Sequence, residues 1–200
     1  MAKTGMKEYK MITNIQVLKF ADGISIRTAT ETDKDAYVSI KLEEEIGPSL
    51  VAEGMKQGID IYGLIWNSVC NSDCILFVIV EESTGKNIGF SEINRVSSNE
   101  PTIGITLASE FRGKGYGYTA AKMTIEEGWN LFDHPYFVWE LEKENTASRK
   151  LVLKLGGQRM NNRCVFSENV IKMMKEKGID VTTQCFSDTI ECYKIERPLS

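Results

Sequence analysis

Leu107-Ala108-Ser109-Glu110-Phe111-Arg112-Gly113-Lys114-Gly115-Tyr116-Gly117-Tyr118 joins an apolar strand to a helix through a loop almost bare of side chains. Glycines at 113, 115 and 117 permit positive φ and close backbone approach. Several N–H groups then converge on an anion, and the helix that follows adds about half a positive charge at its start. The pattern predicts a diphosphate cradle. Gly-rich turns also occur where nothing binds, but the flanks weigh against that reading. Upstream, Thr102–Leu107 alternates as a strand does; downstream, Ala121, Ile125, Trp129 and Phe132 recur on one helix face.

Two common nucleotide loops do not fit. A Walker loop needs a hydroxyl directly after its lysine, whereas Lys114 is followed by Gly115. A dinucleotide fingerprint needs G-x-G-x-x-G early in a βαβ unit, whereas Gly117 follows Gly115 by two residues and the loop sits mid-chain.

Arg112-x-x-Gly115-x-Gly117 resembles the [Q/R]-x-x-G-x-[G/A] signature of the GNAT N-acetyltransferase superfamily. A second match follows at the family's spacing: Trp139-Glu140-Leu141-Glu142, then Asn145-Thr146-Ala147-Ser148, ending at Lys154-Leu155-Gly156. The resemblance spans roughly residues 24–160 and is nearest to the RimJ/RimL-like branch, which acetylates N-terminal amines of ribosomal proteins. It implies an α/β acyl-CoA N-acyltransferase fold, with a central mixed, splayed sheet flanked by helices. It implies acetyl-CoA as co-substrate and direct attack by an amine in a ternary complex, with no metal. The cofactor contacts it implies are Leu107 and Ala108 through their main chain, Arg112, Gly113, Lys114, Gly115, Tyr116, Gly117 and Tyr118 in the loop, and Asn145.

Amine attack on a thioester requires a neutral amine, stabilisation of the oxyanion and a proton for the departing thiolate. The resemblance offers backbone N–H near Leu107 and Ala108 for the oxyanion. Many family members place a tyrosine seven residues after the motif's asparagine, but here that position is Val152. Ser148 matches the serine of the RimL-like branch and is the expected general acid; a first-turn serine that merely bonds backbone is the alternative. Asn145 is an N-cap, a pantetheine contact, or both. The family's glutamate at the start of the cradle strand is displaced, since Thr102 follows Glu100 and Pro101. Glu92 is therefore the expected base, with Glu140 and Glu142 as the other candidates and a solvated strand carboxylate as the plain reading of each. A missing base favours an α-amine acceptor: with a pKa near 8 it is about one-tenth neutral at pH 7, against less than about one in a thousand for lysine, a gap of about 3 kcal/mol.

Composition agrees with one soluble domain over residues 1–200, with 42% hydrophobic and 26% charged residues and a net charge of −4 that argues against nucleic-acid binding. No run is long enough to span a bilayer and no signal segment opens the chain, so a cytoplasmic protein is expected. Cys70, Cys74, Cys164, Cys185 and Cys192 are odd in number and hold no C-x-x-C pair, which argues against a disulfide framework or zinc knuckle. His134, the only histidine, reads as a turn residue in Asp133-His134-Pro135.

Periodicity predicts a first strand at Ile24–Thr28, a helix capped by Thr32 and ending near Gly47-Pro48, and a helical stripe of Leu50, Met55, Ile59, Tyr62, Trp66 and Val69. That stripe reads first as core, though in the family this helical pair lines the acceptor pocket. A hairpin over residues 75–81 and 87–94, a strand at 136–141, a helix capped by Ser167 with Val170, Ile171 and Met174 ending at Gly178, and a closing strand at 189–195 complete the outline. Residues 1–22 and 161–200 carry no assignable motif. An acetyltransferase for a protein N-terminus, polyamine or amino sugar, and a non-catalytic acyl-CoA sensor, remain open at this point; so does a homodimer.

Overall fold

The computed structural model describes residues 17–44, 56, 60–70, 73–160, 176 and 190–198. It divides into two compact units, Met1–Asp133 and His134–Ser200.

In the first unit, strands β1 (Val17–Ala21), β2 (Ile24–Thr28), β3 (Cys74–Glu81), β4 (Lys86–Asn94) and β5 (Thr102–Leu107) pair antiparallel in chain order. Three helices accompany them among the described residues: α1 (Lys34–Glu44), α2 (Ile61–Cys70) and α3 (Tyr116–Leu131). The strand β1 was not anticipated. It returns into β2 through Asp22 (φ 50°) and Gly23 (φ 79°), the paired left-handed conformations of a two-residue hairpin turn.

Pleating sends alternate β4 residues to opposite faces. Ser91, which is fully buried, accepts a 2.7 Å hydrogen bond from Thr124 on α3, while Phe90 meets the Tyr37 ring of α1 edge-on at 5.1 Å. Phe90 and Glu92 therefore share the α1 face. Tyr37, Trp66, Val69, Val78 and Phe90 form one buried cluster, with Tyr62 and Ala108 packed against it. Trp66 is core, as its stripe predicts, and its indole donates to Glu31 Oε2 at 2.9 Å. Leu50, Met55 and Ile59 lie outside the described residues, as does the expected end of the first helix at Gly47-Pro48.

Entry into α1 corrects one expectation. The cap is Thr30 rather than Thr32, and a short 3₁₀ turn, Glu31–Asp33, precedes the helix. Asp33 Oδ2 accepts the Thr30 N–H at 2.9 Å, and the same carboxylate takes both Arg27 guanidinium nitrogens at 2.7 and 2.9 Å and Asn87 Nδ2 at 3.1 Å. One buried acid thus fixes the start of α1 to β2 and β4. Burial pushes the Asp33 pKa up, but hydrogen bonds from Arg27 and Thr30 and the Arg27 charge outweigh it and hold the carboxyl below its ordinary value.

In the second unit, β6 (Tyr136–Glu142) and β7 (Gln158–Met160) each pair antiparallel with β8 (Ile190–Glu196), giving the order β6-β8-β7, and α4 (Thr146–Lys154) follows β6. The closing strand lies one residue beyond its expected ends, and β7 was not anticipated. Phe137, Val138 and Val152 are fully buried here. His134 occupies the expected turn, half-buried and edge-on to Phe137. The helix expected from Ser167 to Gly178 lies outside the described residues save Glu176. Strands and helices thus make the α/β class that the sequence predicts.

Candidate active site

The loop between β5 and α3 begins with a second 3₁₀ turn, Ser109–Phe111, and then opens. Gly113 (φ 75°) and Gly115 (φ 88°) adopt the left-handed conformation, and Gly115 caps α3. Gly117 does not: it lies in the first turn of α3 with ordinary helical backbone, which corrects the expectation of positive φ at all three glycines. Among the described residues, no hydrogen bond takes up the N–H of Gly113, Lys114, Gly115, Tyr116 or Gly117. Five consecutive amides thus lie free across a helix start, where the dipole adds to them.

The side chains around these amides are organised by Phe111, which is buried and carries two ammonium groups near its ring face, Lys114 at 4.9 Å and Lys86 at 5.1 Å from the centroid. Lys86 also hydrogen-bonds Glu110 and, with Lys114 adding its charge, holds that carboxyl below its usual range. Lys86 has no signal in the motif because it reaches the loop from the first position of β4, far away in the chain. Tyr116 Oη donates to Glu81 Oε1 at 3.1 Å, which pushes its phenol up. Tyr118 instead faces an open groove between β1 and α3, together with Phe20 and Lys122.

Arg112 has a role that motif spacing did not reveal. Its Nε donates to the Leu107 carbonyl at 2.9 Å, so the guanidinium closes the loop back onto the end of β5. Ala108 corrects another expectation, since its N–H is committed to the Ile88 carbonyl at 3.0 Å and is not available to an oxyanion. Leu107 pairs with Gly89, and strand alternation directs its N–H and C=O away from β4. Gly89 is obligatory here, because a Cβ on it would lie 2.4 Å from the Thr106 carbonyl oxygen.

Glu92, the expected base, is engaged by Lys41 of α1, with Nζ to Oε1 at 3.1 Å. To take a proton from an amine it must first give up that ammonium. In the second unit, Glu140 is half-buried along β6 and Glu142 is exposed at its end.

Asn145 caps α4, and its Oδ1 accepts the Ser148 N–H at 2.9 Å. The Ser148 hydroxyl is not a backbone-bonding group among the described residues; its Oγ accepts the Trp139 indole N–H at 2.8 Å. The helix is held at this end by Arg149, whose Nε donates to Glu191 Oε2 on β8 at 2.9 Å. Arg149, Tyr193 and Arg159 together overcome burial and hold the Glu191 carboxyl below its ordinary value. Val152, at the position of the family's tyrosine, is fully buried and packs on Gly157.

Comparison with known proteins agrees with this architecture. The family model of the GNAT acetyltransferase domain matches residues 24–158. A ribosomal-protein-S5-alanine acetyltransferase from Vibrio fischeri superposes with a TM-score of 0.59 at 16% identity, covering 90% of this chain and 96% of that one. A spermidine N-acetyltransferase from Vibrio cholerae gives 0.60 at 12% identity, covering 87% and 94%. An acetyltransferase from Salmonella typhimurium that modifies the N-terminal serine of ribosomal protein L7/L12 gives 0.58 at 13%, covering 92% and 100%. At such identities these structures are evidence of fold. No curated protein matches the chain in sequence. The chain belongs to the GNAT acetyltransferase family. It is an N-acetyltransferase of that family, whose members use acetyl-CoA as co-substrate.

No described helix is long and apolar enough to cross a membrane, and no described group of His, Cys, Asp and Glu is arranged to hold a metal.

Proposed function

We propose that this protein transfers an acetyl group from acetyl-CoA to the α-amine of a polypeptide N-terminus by direct attack. The observation that carries the reading is the row of free amides from Gly113 to Gly117 at the start of α3, beside Lys114 and Lys86. Such a row fits two linked phosphates, each oxygen accepting from backbone rather than from mobile side chains. Arg112 contributes by holding the loop closed.

Acetyl-CoA, when bound, supplies the activated acetyl group. The residues assigned to the transfer are Leu107, whose N–H would stabilise the developing oxyanion, and Ser148, whose hydroxyl would give a proton to the leaving sulfur. Asn145 holds the backbone of Ser148 in place. The two compact units are read as parts of one catalytic domain, which is supported by a family match that runs through Asp133 without a break.

The state of the base bears on the acceptor. With Glu92 engaged by Lys41, the amine loses its proton to water, which suits an α-amine better than a lysine or polyamine by about 3 kcal/mol of deprotonation. Names among the structural neighbours offer both acceptor classes, ribosomal-protein N-termini and spermidine. A cytoplasmic setting and a homodimer belong to the same reading; the cytoplasmic setting rests on an odd number of cysteines with no C-x-x-C pair.

Calorimetry with acetyl-CoA followed by a mass-spectrometric screen of amines tests it. Binding together with acetylation of peptides bearing a free amino end is expected. Acetylation of spermidine or amino sugars in preference to peptides would overturn the acceptor, and absence of binding would overturn the site.

A further inference from the structure

We infer that Trp139 is a positioning residue for the hydroxyl of Ser148, setting it as a proton donor; the inference rests on the reading of Ser148 as the acid. Indole nitrogen donates and never accepts, so the 2.8 Å contact between Trp139 Nε1 and Ser148 Oγ has only one polarity. Oγ has two lone pairs and one proton. With a lone pair turned to the indole, the proton points elsewhere, and no described group accepts it.

Neither partner is free to drift. Trp139 is 5% exposed and sits opposite Tyr193 in the β6–β8 ladder. Ser148 is fixed by its N–H to Asn145 Oδ1, and the next residue, Arg149, is tied to Glu191. The rotor is therefore held from both sides.

The arrangement also bears on the step itself. As the carbon–sulfur bond breaks, the electron pair leaves on sulfur and takes the Ser148 proton. The oxygen is left with negative charge, and the indole N–H already pointing at it becomes a charge-assisted hydrogen bond. The proton lost by the new amide nitrogen then restores the hydroxyl, so the sum is amine and thioester to amide and free thiol. Val152, at the position of the family's tyrosine, has no proton to give.

The competing account is that Ser148 merely satisfies a buried indole N–H. Two measurements on the full chain separate them. With three tryptophans, an ¹⁵N-indole spectrum of the protein alone has three signals, and Trp139→Phe assigns one. Ser148→Ala should shift that signal and speed its exchange, while Ser148→Thr should restore it; an unmoved signal overturns the contact. Coenzyme A release from acetyl-CoA with a pool of free-amine peptides supplies the second readout. Trp139→Phe should lower kcat about tenfold with KM for acetyl-CoA unchanged, Ser148→Ala about a hundredfold, and the double variant no further than Ser148→Ala.

Should Trp139→Phe fail to fold, the benzothienyl isostere at 139 removes only the N–H and should give the same tenfold loss. Additive losses, or full kcat in the isostere, overturn the positioning role while leaving Ser148 as acid. Full kcat in Ser148→Ala overturns the acid reading on which it rests.

Discussion

Lys41 Nζ lies 3.1 Å from Glu92 Oε1, and the two side chains keep only 13% and 15% of their surface exposed. Gly104 makes room for the pair from β5, since a Cβ there would fall 2.9 Å from Glu92 Cγ. Removing one partner strands the other in a poorly solvated place. Glu92→Gln should therefore cost about 1–2 kcal/mol in urea denaturation, below the full cost of a dry pair because some solvent remains. Its pH–rate profile should keep the acid limb of the parent. Disappearance of that limb would return Glu92 to the role of base.

Arg112 predicts an effect on affinity through shape. Its Nε bond to the Leu107 carbonyl is charge-assisted, a class worth about 1.5–3 kcal/mol. Arg112→Ala should raise the acetyl-CoA dissociation constant about tenfold or more, and Arg112→Lys should recover little of it, since an ammonium lacks the planar geometry. Calorimetry reads both.

The glycines of the loop should separate by conformation. At Gly115, φ is +88° and a methyl group would meet nothing within 4 Å, so Gly115→Ala suffers from backbone strain alone, about 1–2 kcal/mol. Gly117 is already helical, and Gly117→Ala should stabilise the apo protein by up to about 1 kcal/mol. Equal destabilisation by both in thermal melts would contradict the geometry.

Asp33 predicts a response to acid. Its carboxyl is held below its unfolded value, so the stability it contributes is complete above about pH 4 and is lost as pH falls through the lower folded value. The Arg27–Asp33 pair is 12% and 3% exposed, and Asp33→Asn should cost about 3 kcal/mol at pH 7. The variant should also lose part of the parent's steep decline below pH 4, measured by urea midpoints across pH.

What was legible in the chain followed contiguity. The run from Thr102 through Phe132 could be read because strand, glycine loop and helix are adjacent and each has its own period. Asn145 declared itself as a cap by residue type. The strand β1 is also encoded locally, through the Asp22-Gly23 turn that returns it into β2. By contrast, Lys41 on Glu92, Lys86 beside Phe111, Trp139 on Ser148 and Asp33 on Arg27 are meetings of side chains brought together by folding. No periodicity encodes them. The commitment of the Ala108 amide to Ile88 was equally hidden, because register decides which way a backbone group points.

Val152 limits what its position can hold. It is sealed at 0% exposure against Gly157, whose own missing Cβ would fall 2.7 Å from it, so a phenol has no room there. Replacement by tyrosine would crowd the interior by about 1–3 kcal/mol. A phenol enters this helix position only if the turn around Gly157 repacks to admit it.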